Sequence, residues 1–244
     1  MRTTKETEKE VQAAIVDLRE AFGRYHLRAP IDCCAHCTSE ADQRELQAAP
    51  SEVLSDESLE EFAFRAMTTW GNEQDFKHFL PRILALMLID GGFFYVDAEV
   101  VFGKLQLANC RFWREAEQEA LRRYFRAGWH HILCQEKPRI APCTWLVGIM
   151  IAGESPMPFL KEWVTFRTIT AYKHLSALLD DWYVDIIYRR KTSPLLRAPE
   201  EIRRFLMDPA TRAQLETLFF ENEAEEYSSS LAEVVDSLER IARS

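Results

Sequence analysis

The sequence predicts an all-α protein, and three observations carry that prediction. Apolar residues recur at helical spacing along most of the chain, and Pro and Gly fall at the joints between those stretches. Fifteen Phe and six Trp stand against only eight Gly, which suits packed helices better than a sheet with many tight turns. About ten helices with short loops fit antiparallel pairs, stacked as in a HEAT-like α-solenoid, although no fixed-period repeat is visible. No linker is long or polar enough to force a boundary. Residues 1–244 therefore read as a single helical domain, with an N-terminal helix and Cys-rich loop over 1–50 and a helical body over 51–244.

The first helix is expected over Lys5–Leu27, because Val11, Ile15, Leu18 and Phe22 are spaced for one face. Pro30 and a cysteine cluster interrupt it, and a short helix over Gln43–Ala48 ends before Pro50. Ser55 is a good N-cap, with Asp56 and Glu57 placed where negative charge complements the helix dipole. That helix is expected to bury Leu59, Phe62, Ala63, Ala66 and Met67 and to stop at Gly71. Asp75 opens the next, and Pro81 predicts a kink or a late start. Gly91-Gly92 breaks the chain, and Phe93–Val96 reads as a short extended piece. Asp97 caps a helix through Leu107, and Phe112–Cys134 makes a long one. Further helices follow over Thr144–Ala152, 159–167, 169–190, Pro199–Met207, Pro209–Phe220 and Glu223–Ala242.

Charge and composition narrow the function. A formal net charge of −9 argues against a general nucleic-acid binder, which needs a basic face for phosphates. Residues 200–244 hold eleven Asp or Glu against five Arg, a net −6, so the excess gathers at the C-terminal end. Such an end suits a basic partner, or else is a solvated helix face. Met1–Val11 is polar and lacks the apolar core of a signal peptide, and the apolar run Ile83–Ile89 is too short to span a bilayer. A cytoplasmic protein with reduced thiols and no membrane role is the expectation.

Two segments are dense in chemistry. Cys33-Cys34-Ala35-His36-Cys37 holds half of the six cysteines, and Cys34 and Cys37 form a C-x-x-C. That spacing is half of a zinc site, with Cys34, Cys37 and His36 as candidate ligands. A second pair has to come from Cys110, Cys134, Cys143, His130 or His131, none of which forms another C-x-x-C. The same spacing supports thiol–disulfide exchange, but no βαβ pattern surrounds it. As a third reading, the cluster is a structural clasp between the N-terminal helix and the body.

The second segment is Thr68–Arg82. Asp75 and His78 lie three apart on one helix face and can form an acid–base pair, the only basis here for a hydrolase. The alternative uses Asp75 as a cap and His78 as a hydrogen-bonded residue. His130 and His131 point about 100° apart on a helix and read as structural, as does His174. Trp113, Trp129, Trp145, Trp163 and Trp182 fall at one per helix, which fits packing, with one or two left as binding anchors. Phosphate-binding loops, nucleophile elbows and H-E-x-x-H are absent from the sequence.

Thr69-Trp70-Gly71 and Asp75-Phe76-Lys77-His78-Phe79-Leu80-Pro81-Arg82, with the upstream cluster ending in Cys37-Thr38, resemble an uncharacterised family of bacterial helical proteins. The resemblance implies a bacterial origin and a helical fold, and carries over no catalytic residue. The expected function is therefore that of a non-enzymatic protein–protein interaction scaffold without a cofactor. An immunity protein that neutralises a basic toxin is the concrete version, and a zinc-binding protein using Cys33–Cys37, structural or catalytic, is the alternative.

Overall fold

The computed structural model describes residues 3–27, 30–90, 92, 96–188, 200–221 and 228–243. Among them the protein is all-α, with twelve α-helices, two 3-10 turns and isolated backbone bridges in place of strands. The helices are α1 (Thr4–Phe22), α2 (Glu40–Gln47), α3 (Asp56–Arg65), α4 (Glu73–Leu88), α5 (Ala98–Leu107) and α6 (Glu115–Cys134). They continue with α7 (Pro142–Ile151), α8 (Met157–Thr165), α9 (Ile169–Tyr188), α10 (Glu200–Leu206), α11 (Pro209–Glu221) and α12 (Ser228–Arg243).

Contacts gather the chain into two compact units. One comprises Lys5–His131 and Ile151–Gly153; the other comprises Met1–Thr4, Ile132–Met150 and Glu154–Ser244. In the first, α1 buries Val11, Ala14, Ile15, Leu18 and Phe22, the face its spacing predicts. Helix α4 packs against α3, and Phe62 meets both Trp70 and Phe79 edge-on, at 5.6 Å and 4.8 Å between ring centres. In the second unit, α12 lies along α9 and α11. It buries Leu231, Val234, Leu238 and Ile241, a run of three- and four-residue steps.

Several boundaries differ from expectation, each for a local reason. Helix α2 begins at Glu40 because Ser39 and Asp42 form a reciprocal capping box. Helix α3 stops at Arg65, where Ala66 turns extended and Met67 takes a left-handed φ of 59°. Asp75 does not open α4. Asn72 is the N-cap, and Asp75 at the third position returns its carboxylate to the Asn72 amide at 2.9 Å. Helix α4 runs through Pro81, so the proline does not delay its start. Cys110–Phe112 forms a 3-10 turn, which moves the start of α6 to Glu115. Pro142 occupies the first turn of α7, where its missing N–H is not needed. Phe93–Tyr95 of the expected extended piece, and the start of the expected 223–242 helix, lie outside the described residues.

Candidate functional site

The Cys-rich loop and the Thr68–Arg82 segment meet. Cys34 N–H donates to the Thr69 carbonyl at 2.8 Å, and Gly71 N–H donates to the Asp32 carbonyl at 2.7 Å. Cys33 and Trp70 form an antiparallel bridge between them. Gly71 sits at φ +70°, and a Cβ there would lie 3.1 Å from Asp75 Cβ and 3.2 Å from Ile31 Cγ2. Glycine is thus required both by conformation and by space. The Arg65 guanidinium donates to the Cys37 carbonyl. Gln43 Nε2 reaches the Ile31 carbonyl at 2.6 Å and Cys33 Sγ at 3.0 Å. Together these bonds hold the loop on the turn between α3 and α4.

Within the loop, Cys37 N–H and Thr38 N–H both donate to the Cys34 carbonyl, at 2.9 Å and 3.1 Å, and so close one tight turn. Cys34 and Cys37 are exposed, whereas Cys33 is half-buried against Gln43. The polar groups around it, the His36 amide first and then the Cys37 thiol and amide, hold the Cys34 thiol below the ordinary value. Cys37 moves the opposite way. The neighbouring Cys34 side chain raises its thiol, helped by partial desolvation, while Arg65 and the Thr69 hydroxyl oppose. Two buried polar atoms flank the turn without a hydrogen-bond partner among the described residues, Thr38 Oγ1 and Trp70 Nε1.

As zinc ligands these residues supply a pair only. His36 is exposed on the turn, and among the described residues no group of three or more His, Cys, Asp or Glu side chains stands close enough to hold a metal ion. The candidates for a second pair are elsewhere. Cys110 is buried with its thiol on the Ala152 carbonyl at 3.3 Å. His130 Nδ1 lies 2.9 Å from Glu10 Oε2, and His131 Nδ1 lies 3.2 Å from Thr7 Oγ1. Burial pulls the His131 imidazole down, against the charge of Glu8. His174 Nε2 meets the Gln135 carbonyl at 2.8 Å.

Asp75 and His78 do not form an acid–base pair. The Asp75 carboxylate is spent on the cap of α4, and His78 Nδ1 sits 2.8 Å from the Tyr25 carbonyl. A carbonyl only accepts, so Nδ1 carries the proton and the lone pair of the neutral ring is on Nε2. His78 lines a cavity of about 210 Å³ together with Arg19, Tyr25, His26, Ser51 and Arg82.

Beside that cavity lies a buried ionic cluster that the sequence does not announce. Lys77 is 6% exposed and Glu117 is 0% exposed. Lys77 Nζ stands 2.9 Å from Glu73 Oε1, 3.3 Å from Glu117 Oε2 and 3.3 Å from Tyr25 Oη. It also lies 4.1 Å from the centre of the Trp113 ring, a cation–π contact. Tyr25 Oη donates to Glu117 Oε1 at 2.7 Å, whereas Glu117 Oε2 faces Lys77 without hydrogen-bond alignment, so that contact is Coulombic. Burial alone pulls the Lys77 ammonium down; the bonds to Glu73 and Tyr25 and the charge of Glu117 outweigh it and raise it. Burial and the bond to Glu117 push the Tyr25 phenol up. Lys77 sits between Phe76 and Phe79 in sequence, and a charge inside such an apolar run is the one signal that marks it.

The surface offers a different kind of site. Trp70, Trp113, Trp129, Trp145 and Trp163 are all buried, so the expected exposed tryptophan anchor is not among them; the Trp182 side chain lies outside the described ones. Among the described side chains the exposed aromatics are phenylalanines, Phe112 at 75%, Phe220 at 70% and Phe64 at 52%. Phe220 is the penultimate residue of α11, before Glu221, and Glu223, Glu225 and Glu226 follow in the sequence. No described helix is long and apolar enough to cross a membrane. Comparisons with protein-family models, with curated proteins and with solved structures found no significant match.

Proposed function

We propose that the protein is a helical interaction scaffold whose acidic C-terminal end receives a basic protein. The observation that carries this reading is Phe220, a large aromatic side chain left 70% exposed at the end of α11 and followed by an acidic run. The Phe220 ring meets Phe219 edge-on at 5.3 Å between ring centres and leaves most of its surface open, and an aromatic anchor in a charged rim is how interfaces concentrate binding energy. The carboxylates of Glu221 and of the acidic run that follows it in the sequence add steering toward a positive partner. Glu221 has a single partner at the limit of an ion pair, Arg167 at 3.5 Å, and both side chains are more than half exposed, so that pair holds it weakly.

On this reading the helix pairs form a HEAT-like scaffold in the bacterial cytoplasm, and the partner is a basic toxin that the protein neutralises as its immunity protein. The test is co-expression of the chain with the products of its neighbouring genes, followed by size-exclusion chromatography at low and high salt. A stoichiometric complex with a basic protein, weakened by salt and lost in the double variant Phe220→Ala/Glu221→Lys, supports the proposal. Equal recovery by the native chain and the double variant contradicts it.

A further inference from the structure

We propose that Cys34 and Cys37 form a thiol–disulfide exchange site that a low-molecular-weight disulfide of the glutathione type closes into an intramolecular disulfide. Four features of the loop point there, and none depends on the Phe220 surface. Cys34 and Cys37 are the exposed members among the six cysteines, so a soluble disulfide can reach them. The bond from Cys37 N–H to the Cys34 carbonyl closes a four-residue turn, which brings the two Cα atoms within about 7 Å, the upper limit for a disulfide. Cys34 is pinned on both sides of its exposed side chain, its N–H on the Thr69 carbonyl and its own carbonyl accepting from the Cys37 and Thr38 amides, so the thiol is held at a fixed place on the turn. Cys33, the remaining cysteine of the cluster, is tied to Gln43 and does not compete.

The loop is also anchored from outside the turn. Arg65 donates to the Cys37 carbonyl, and Cys34 N–H is bonded to Thr69, so the pair stays in register whether the sulfurs are joined or apart. The exchange balances without any other group. The Cys34 thiolate attacks one sulfur of glutathione disulfide, a protein–glutathione S–S bond forms, the original S–S bond breaks and one glutathione thiolate leaves. The Cys37 thiol then gives its proton to solvent and attacks the Cys34 sulfur, and the second glutathione thiolate leaves. Two protein thiols are oxidised by two electrons, and one glutathione disulfide becomes two glutathione thiols.

The experiment uses the full reduced chain, freed of metal by chelation and equilibrated with glutathione disulfide, then alkylated and analysed by intact mass and peptide mapping. The expected product has lost two hydrogens, with Cys34 linked to Cys37 and the other four cysteines alkylated. Cys37→Ser and Cys34→Ser each remove one partner of the disulfide and leave a single glutathione trapped on the thiol that remains. Both positions are exposed, and circular dichroism checks that each variant is folded. Cys34 and Cys37 that remain alkylatable after equilibration overturn the proposal. So does a disulfide to any other cysteine, or a chain that purifies with stoichiometric zinc on these thiols and reacts only after the metal is stripped.

Discussion

At the scale of single residues, the costliest commitment in the first unit is the Lys77–Glu117 pair. Two charges have been taken almost wholly out of water, and their attraction must be supplemented by Tyr25, Glu73 and the face of Trp113. Removing one partner leaves the other buried and unmatched. Glu117→Ala is therefore expected to cost about 3–5 kcal/mol in urea unfolding, while Lys77→Met/Glu117→Leu recovers most of that loss. Equal destabilisation by the single and double variants would mean that packing, not charge, sets the effect. The same cluster contributes to the alkaline limit, as does the buried Tyr124 phenol, which burial pushes well up. Lys77 and Tyr25 both hold their protons more tightly in the folded protein than in the unfolded chain. The stability they supply is complete below their unfolded values and is lost as pH rises through the folded ones. Denaturation midpoints are thus expected to fall above pH ~10, and to fall less steeply in the Lys77→Met/Glu117→Leu variant.

At the scale of elements, the junction of the Cys-rich loop with the α3–α4 turn depends on Gly71. Alanine there combines a φ of +70° with contacts of 3.1 to 3.2 Å to Asp75 and Ile31. Gly71→Ala is expected to cost roughly 1–3 kcal/mol and to speed hydrogen exchange of the Gly71 and Cys34 amides, because the bond to Asp32 must shift. An unchanged exchange rate would detach the loop from the turn. This junction also marks how far the sequence is legible. The helices show in the apolar period, as in Val11 to Phe22 of α1, and in caps such as Ser55 and Asp97, because those signals are local. A clasp formed by the cluster between the N-terminal helix and the helical body is one of the readings the sequence allows, yet the segment the loop is bonded to, Thr69–Gly71, is separated from it by two helices. Likewise Asp75 and His78 suggest a pair by spacing, but Asp75 is claimed by the Asn72 amide in a local capping box and His78 by the Tyr25 carbonyl, which no spacing reveals. The Lys77–Glu117 pair joins residues on α4 and α6, so no pattern within either helix exposes it.

At the scale of the whole molecule, the two ends of the sequence carry different kinds of chemistry. The N-terminal part presents two thiols on a braced turn, and the C-terminal part presents an exposed aromatic ring followed in the sequence by an acidic run. The central claim is that the second of these binds a basic protein. The most direct measurement is affinity purification of the tagged chain from the cells that produce it, at two ionic strengths, with quantification of what is retained. The account predicts a basic protein held in stoichiometric amount at low salt, reduced at least tenfold at high salt and absent from the Phe220→Ala/Glu221→Lys variant. Retention of the same proteins by the native chain and the variant, or of none in stoichiometric amount by either, would contradict it.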